Sequence, residues 1–265
     1  MHPTPLDDAS AWQASWDVQQ EHYMPDREQR FDAMLELVEA VAGPAPEVLD
    51  LASGTGSITA RLLDRLPNGR SVAVDVDPAL LAIARATFDS DDRVRIVVAD
   101  LADPGWPRAI GESGFDAVLT ATALHWLSAE ALQRVYRDVF GLLRPGGLLV
   151  NADHMPDDGL PTATAALEEA RRSRRAAATA AGVPDWDAWW REVRRHPELK
   201  ALVAERDRRF GGNHAHSFVP TMAWHLDALR AAGFAEVGLI WRGGTDAAVA
   251  AIRAHSRAAE PGNGR

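Results

Sequence analysis

The chain has 265 residues, a formal charge of −10 and no cysteine. That length suits one large α/β domain with an insertion, the lack of cysteine excludes disulfides, thiolate metal sites and a cysteine nucleophile, and the acidic balance argues against a nucleic-acid partner, which needs clustered Lys and Arg. No apolar run reaches the roughly 18 residues of a membrane span, and the opening residues Met1 to Asp8 are polar and acidic, unlike a leader, so the expectation is a cytoplasmic protein with no membrane partner.

In chain order, Met34, Leu35, Leu37, Val38 and Val41 mark a helix after Gln20 to Phe31. Val48 to Leu51 reads as a short buried strand running into Ala52-Ser53-Gly54-Thr55-Gly56, followed by a helix carrying Ile58, Leu62, Leu63 and Leu66. Ser71 to Val74 is a second strand ending at Asp75, and Asp77-Pro78 is an N-cap with proline at the first helical position. A third strand, Val94 to Ala99, ends at Asp100, and a fourth covers Phe115 to Thr120. Ser128 caps a helix with Leu132, Val135, Tyr136, Val139, Leu142 and Leu143. Arg144-Pro145-Gly146-Gly147 then delivers a fifth strand, Leu148 to Val150. The alternation stops from about 153 to 217, a stretch of helical composition. It resumes with Glu236 to Trp241, a Gly243-Gly244 turn and Ala247 to Ile252, which read as an antiparallel hairpin.

Alternating strands and helices predict a parallel sheet, whose ligands bind beyond the C-terminal strand ends. The glycine loop lets the backbone approach a ligand, and the helix from Ser57 aims its free N–H groups at that crevice. A dinucleotide fingerprint would need a small third residue where Thr59 stands, and no Walker lysine follows. Asp75 suits a pair of ribose hydroxyls, and Asp100 can accept from an exocyclic amine. Each carboxylate alone reads equally well as a strand-end turn residue.

Taken together, Val48 to Gly56, Val74-Asp75 and Ala99-Asp100 resemble the three cofactor motifs of class I S-adenosylmethionine-dependent methyltransferases. Thr120 to Leu127 and Leu143 to Gly147 resemble that family's later landmarks, closest to the small-molecule branch with ubiquinone-biosynthesis-type and trans-aconitate-type enzymes. The resemblance covers residues 45–152 and extends to the closing hairpin. Ser53 departs from the Gly or Cys common there.

The resemblance implies a Rossmann-like fold: a seven-stranded, mostly parallel sheet with an antiparallel last strand and a helical lid. It divides the chain into N-terminal helices over the cofactor site (1–44), a cofactor-binding core (45–152), a lid holding the acceptor (153–217) and a closing helix and hairpin (218–256). It also implies S-adenosylmethionine as cofactor, S-adenosylhomocysteine as product, and no metal. Asp50 would shape the loop near the cofactor's amino group, and Ser53, Gly54 and Gly56 would pass beneath its methionine part. Asp75 would take the ribose hydroxyls, Val76 would lie beside the adenine, and Asp100 and Leu101 would read the adenine edge. Thr120 and Ala121 would close the methionine end. In the N-terminal flank Tyr23 and Arg30 are candidates for the cofactor carboxylate, because a guanidinium can grip one bidentately; a solvated helix start is the plainer reading.

His125 and His154, beyond the fourth and fifth strands, are candidate bases. Trp126, Trp186, Trp189, Trp190, Phe218 and Trp224 are candidate walls of an acceptor pocket; Trp186, Trp189 and Trp190 share one helical face and read equally as an apolar seam. Arg171, Arg172, Arg174 and Arg175 read as a solvated face, or as an attractor of an anionic substrate. His214, His216 and His225 have no acidic companions and suggest no metal site. The expected function is methylation of a small-molecule acceptor, at oxygen in preference to nitrogen or carbon. The rivals are an enzyme of the same fold steering a non-methylating reaction such as cyclisation, and a non-catalytic binding module.

Overall fold

The computed structural model describes residues 8–24, 26–183, 185–211 and 218–255. Its centre is a sheet of seven strands: β1 (Glu47–Leu51), β2 (Arg70–Asp75), β3 (Val94–Val98), β4 (Phe115–Ala121), β5 (Leu143–His154), β6 (Glu236–Gly243) and β7 (Asp246–Ile252), in the order β3-β2-β1-β4-β5-β7-β6. The first five are parallel, while β7 runs antiparallel to both β5 and β6. This is the Rossmann-like class I methyltransferase fold, with β7 as the antiparallel last strand.

The central strands are apolar on both faces because helices cover both. On one face α2 (Arg27–Ala42) and α3 (Ser57–Arg65) bury Phe31, Met34, Leu35, Val38, Ile58 and Leu62 against Val48, Leu119 and Val150. On the other, α5 (Trp106–Ile110), α6 (Ala129–Leu142) and α10 (Met222–Ala231) bury Trp106, Leu132, Tyr136, Val139 and Leu229. The expected caps form: Asp77 accepts from Ala79 N and Leu80 N at the start of α4 (Pro78–Thr87), and Ser128 from Ala131 N at the start of α6.

The fifth strand is longer than its apolar run suggests. It begins at Leu143, passes through Pro145 and Gly146 with a register shift against β4, and ends at His154 instead of Val150. The long α1 (Ala9–Tyr23) precedes α2, and α7 (Pro161–Ala180), α8 (Trp186–Arg195) and α9 (Lys200–Phe210) lie between β5 and β6 in the chain. Among the described residues no helix is long and apolar enough to cross a membrane.

The topology gathers one edge. The C-terminal ends of the parallel strands lie there, and the antiparallel β7 brings its N-terminal residue to the same place, pairing Asp246 with His154.

Candidate active site

The glycine loop leaves β1 through two positive-φ glycines, Gly54 at +56° and Gly56 at +85°. At Gly56 a side chain is impossible without movement, since a Cβ would lie 2.5 Å from the Phe88 ring. Asp75 holds the loop from β2: one carboxylate oxygen accepts from Gly54 N at 2.8 Å, the other from Val76 N at 2.7 Å and Asp77 N at 2.8 Å. Burial raises its pKa, and those three N–H donors oppose the rise. Asp50 is fully buried, accepts from Thr59 N at 3.2 Å and Thr59 Oγ1 at 2.8 Å, and is pushed up to about 7 by desolvation. It thereby pins the first turn of α3. Thr59, the residue that spoils a dinucleotide fingerprint, also contacts Ser71 Oγ at 2.8 Å, so it ties α3 to β1 and β2.

Two further features mark this edge as strained and unsatisfied. Ala52 and Thr122, just past β1 and β4, both have positive φ, 54° and 52°, a conformation that costs a non-glycine residue about 1–2 kcal/mol. Ser53 Oγ, Thr120 Oγ1 and one oxygen of Asp50 are buried with no hydrogen-bond partner among the described residues. Since β1 and β4 are neighbours, these polar atoms belong to one region of the sheet edge. A buried polar group without a partner costs about 1–3 kcal/mol, so the edge fits a polar ligand that meets them. Ala121 is half-buried beside Thr120, Val76 is half-buried, and Leu101 is buried; Asp100 is exposed, with one oxygen accepting from Ala102 N at 2.8 Å.

Helix α1 lies over this loop. Gln13 Nε2 donates to Thr55 O at 2.8 Å, Ser57 Oγ donates to Asp17 at 2.6 Å, and a Cβ on Gly54 would stand 3.9 Å from the Trp16 ring. The expected acceptor tryptophans join this roof. Trp189 stacks edge-on at 4.9 Å from Trp16 and 5.0 Å from Trp190, and Trp186 is 5.7 Å from Trp16. With Leu80 and Ile83 of α4 they form a separate apolar cluster. Arg206 of α9 stacks 3.9 Å over Trp190 and bonds Asp77 at 2.6 Å, fastening α9 to the start of α4. Phe218 and Trp224, 5.1 Å apart, lie elsewhere, against the cluster that holds Tyr136, with Phe218 N donating to His125 O. The six aromatic candidates are therefore not one pocket. Trp126 is 45 % exposed, its ring 4.9 Å from that of His125.

Both candidate histidines have a buried carboxylate behind them. His125 Nδ1 is 2.7 Å from Asp153, and His154 Nδ1 is 2.6 Å from Asp246; the two rings are 5.8 Å apart. His154 is the last residue of β5 and not a loop residue beyond it. Asp153 raises the pKa of His125 against a burial that lowers it, and is itself held low by that partnership. Neither carboxylate was singled out from the sequence. Asp153 had a local signal, a polar residue interrupting an apolar strand next to His154; Asp246 had none, since it reaches His154 only by strand pairing.

Arg30 differs from its expected place. Its guanidinium is fully buried and donates to Asp246 at 2.6 Å and toward the Met24 sulfur at 3.1 Å, which commits it to β7 and not to a cofactor carboxylate. Arg171 also departs from the solvated-face reading. It is 11 % exposed and donates to Asp246 at 2.7 Å, Thr245 Oγ1 at 2.8 Å and Gly243 O at 2.7 Å. Desolvation would raise the Asp246 pKa, but His154, Arg30 and Arg171 outweigh it and hold it far below the carboxylate range. The side chain of Tyr23, and His214 and His216, lie outside the described residues. His225 is buried, bonded to Tyr136 Oη at 2.6 Å, and lowered to about 4 by desolvation.

Residues 48–147 match the family model of a methyltransferase domain. The trans-aconitate 2-methyltransferase of Acidovorax sp. (strain JS42) is 32 % identical over 136 residues, 49 % of this chain and 48 % of that one. The malonyl-[acyl-carrier protein] O-methyltransferase of Halorhodospira halophila is 34 % identical over 126 residues, 48 % of this chain and 41 % of its own length. The chain thus spans about half the length of these curated relatives. Among solved structures, an O-methyltransferase family protein from Burkholderia thailandensis aligns over 90 % of this chain and 64 % of its own, with a TM-score of 0.55 and 23 % identity, a likeness of fold.

Proposed function

We propose that this chain is a class I S-adenosylmethionine-dependent methyltransferase, a reading supported by its methyltransferase-domain match and its sheet order, and that it methylates a hydroxyl of a small-molecule acceptor. The observation that supports oxygen as the target is the His125–Asp153 pair at the end of β4, the strand next to the glycine loop's own strand.

Gly54, Gly56 and Ser53 would hold the methionine part together with Thr120 and Ala121. Asp75 would take the ribose, and Val76, Asp100 and Leu101 the adenine. When bound, S-adenosylmethionine supplies a methyl group on a sulfonium, an electrophile whose transfer needs alignment and exclusion of water more than further activation. Helix α1 and the tryptophans of α8 exclude water above the loop. The Asp153 carboxylate fixes the His125 proton on Nδ1, so the Nε2 lone pair is the acceptor for a hydroxyl proton. That proton is held as an imidazolium stabilised by Asp153, while the acceptor oxygen is left free to bond to carbon.

The test is methyl transfer from labelled S-adenosylmethionine to a panel of hydroxylated small molecules, with S-adenosylhomocysteine measured in parallel. Label in an ether or ester with one S-adenosylhomocysteine per product supports the reading. A converted acceptor without added methyl points to cyclisation chemistry instead. No binding of S-adenosylmethionine by calorimetry refutes the cofactor assignment itself.

A further inference from the structure

Beyond the His125 pair the same edge holds a cleft. A cavity of about 260 Å³ lies between the end of β5 and α7, lined by His154, Pro156, Glu168, Arg171, Arg172, Arg175, Val219 and Thr245. The lining carries three arginines and one carboxylate, Glu168, and Arg172 also pairs with Glu169 at 2.7 Å. At its floor Arg30, fully buried, and Arg171, 11 % exposed, converge on one buried carboxylate, Asp246. Two cations thus share one carboxylate, and Arg171 also lines the cavity, where a guanidinium suits an added carboxylate. His154, bonded to that same Asp246, stands in the cavity wall. The arginine that matters most is rigid: three hydrogen bonds from Arg171 to Thr245, Asp246 and Gly243 fix its guanidinium before any ligand arrives, so little side-chain entropy is lost on binding. Pro156 and Val219, the latter 42 % exposed, supply an apolar flank.

We propose that this cavity binds the carboxylate of the acceptor, so that the substrate is a small hydroxy acid held by its anionic end beside Arg171 while its hydroxyl meets His125. The His125 ring is 5.8 Å from the ring of His154, which lines the cavity, so the two ends lie on the same edge. The cavity lies below the roughly 300–1,000 Å³ of sites for drug-sized ligands, which favours an acid of one ring or a short chain. This deepens the methyltransferase reading and rests on it for the hydroxyl end only; the anion site stands on its own residues.

Binding of 3-hydroxybenzoate, 4-hydroxybenzoate and malate, each paired with its neutral amide, is measured by calorimetry on the full chain, and S-adenosylmethionine binding is measured on the same samples. At least one acid is expected to bind tenfold or more tighter than its amide, and to lose at least tenfold in affinity in Arg172→Gln/Arg175→Gln and in Arg171→Lys, with cofactor affinity retained. Arg172 lies on the exposed face of α7, so that pair of changes tests the site even if Arg171→Lys disturbs the fold. Equal binding of every acid and its amide, including no binding by either, overturns the proposal, as does wild-type acid affinity in both variants. If acids bind as expected and S-adenosylmethionine does not, the anion site stands and the methyltransferase reading fails; cofactor binding without acid discrimination fails the anion site alone.

Discussion

Replacing Asp246 by Asn removes the one charge on which three elements of the edge converge. In the native protein Asp246 receives Arg30 from α2, Arg171 from α7 and His154 from β5. The three partners do not depend on it equally. Arg171 keeps Thr245 and the Gly243 carbonyl, whereas Arg30 keeps the Met24 sulfur and the Trp241 ring face, and its Nε already has no hydrogen-bond partner among the described residues. Asp246→Asn therefore strands a fully buried guanidinium, and breaking a buried pair from one side costs about 3–5 kcal/mol. For a chain of this size that corresponds to a fall in Tm on the order of 10 °C. Arg30→Met has a smaller expected cost, about 2 kcal/mol or less, because Asp246 retains Arg171 and His154. In the double variant Arg30 is no longer stranded and Arg171 keeps Thr245 and the Gly243 carbonyl, so the loss should be below the sum of the two. Because the Asp246 pKa is depressed, its contribution to stability is present above the ordinary carboxylate range and is lost only in strong acid, so the difference between wild type and Asp246→Asn should be flat from about pH 5 to 8. Urea unfolding at several pH values measures all of this. A loss below about 1 kcal/mol in Asp246→Asn, or equal losses in the two single variants, refutes the asymmetry.

Three other outcomes test the rest of the site. His125→Gln should lower kcat by roughly 10²–10⁴-fold with little change in cofactor affinity; Asp153→Asn removes the carboxylate that raises the His125 pKa, so the acid limb of the kcat/KM profile should move to lower pH, and a limb that stays put would show His125 is not the titrating base. Gly56→Ala must displace the Phe88 ring and hold a left-handed alanine, so it should destabilise the protein by at least about 1 kcal/mol and weaken S-adenosylmethionine binding in calorimetry, whereas Gly111→Ala, also at positive φ but with open space around it, should leave cofactor affinity unchanged. His225, lowered to about 4, binds fewer protons folded than unfolded, so stability should fall by about 3 kcal/mol as pH drops from 6.5 to 4; His225→Phe should flatten that slope in urea unfolding, and an unchanged slope would place the acid sensitivity elsewhere.

The parts of this protein written into short stretches of chain were legible without coordinates. Val48 to Gly56, Asp75, Asp77-Pro78 and Ser128 announce strand, turn and cap because backbone conformation and local hydrogen bonds set those residue types within a few positions of one another. Hydrophobic alternation and helical spacing likewise fixed the five parallel strands and the closing hairpin. The supporting charges were not legible. Asp246 meets His154 across 92 residues and Arg30 across 216, and only the antiparallel insertion of β7 beside β5 brings them to one edge. The same holds for the tryptophans of α8: helical spacing shows that Trp186, Trp189 and Trp190 share a face, but Trp16 of α1 decides that this face roofs the glycine loop instead of joining Phe218 and Trp224. Arg171 is a surface residue in the composition of its helix and a half-buried ion-pair partner in the fold, because burial is a property of what packs against a side chain and not of the side chain itself. Sequence alone determined the sheet and the glycine loop, where local geometry dictates residue choice; tertiary structure alone decided which carboxylates orient the histidines and which arginine faces a cavity, since those depend on contacts between segments far apart in the chain.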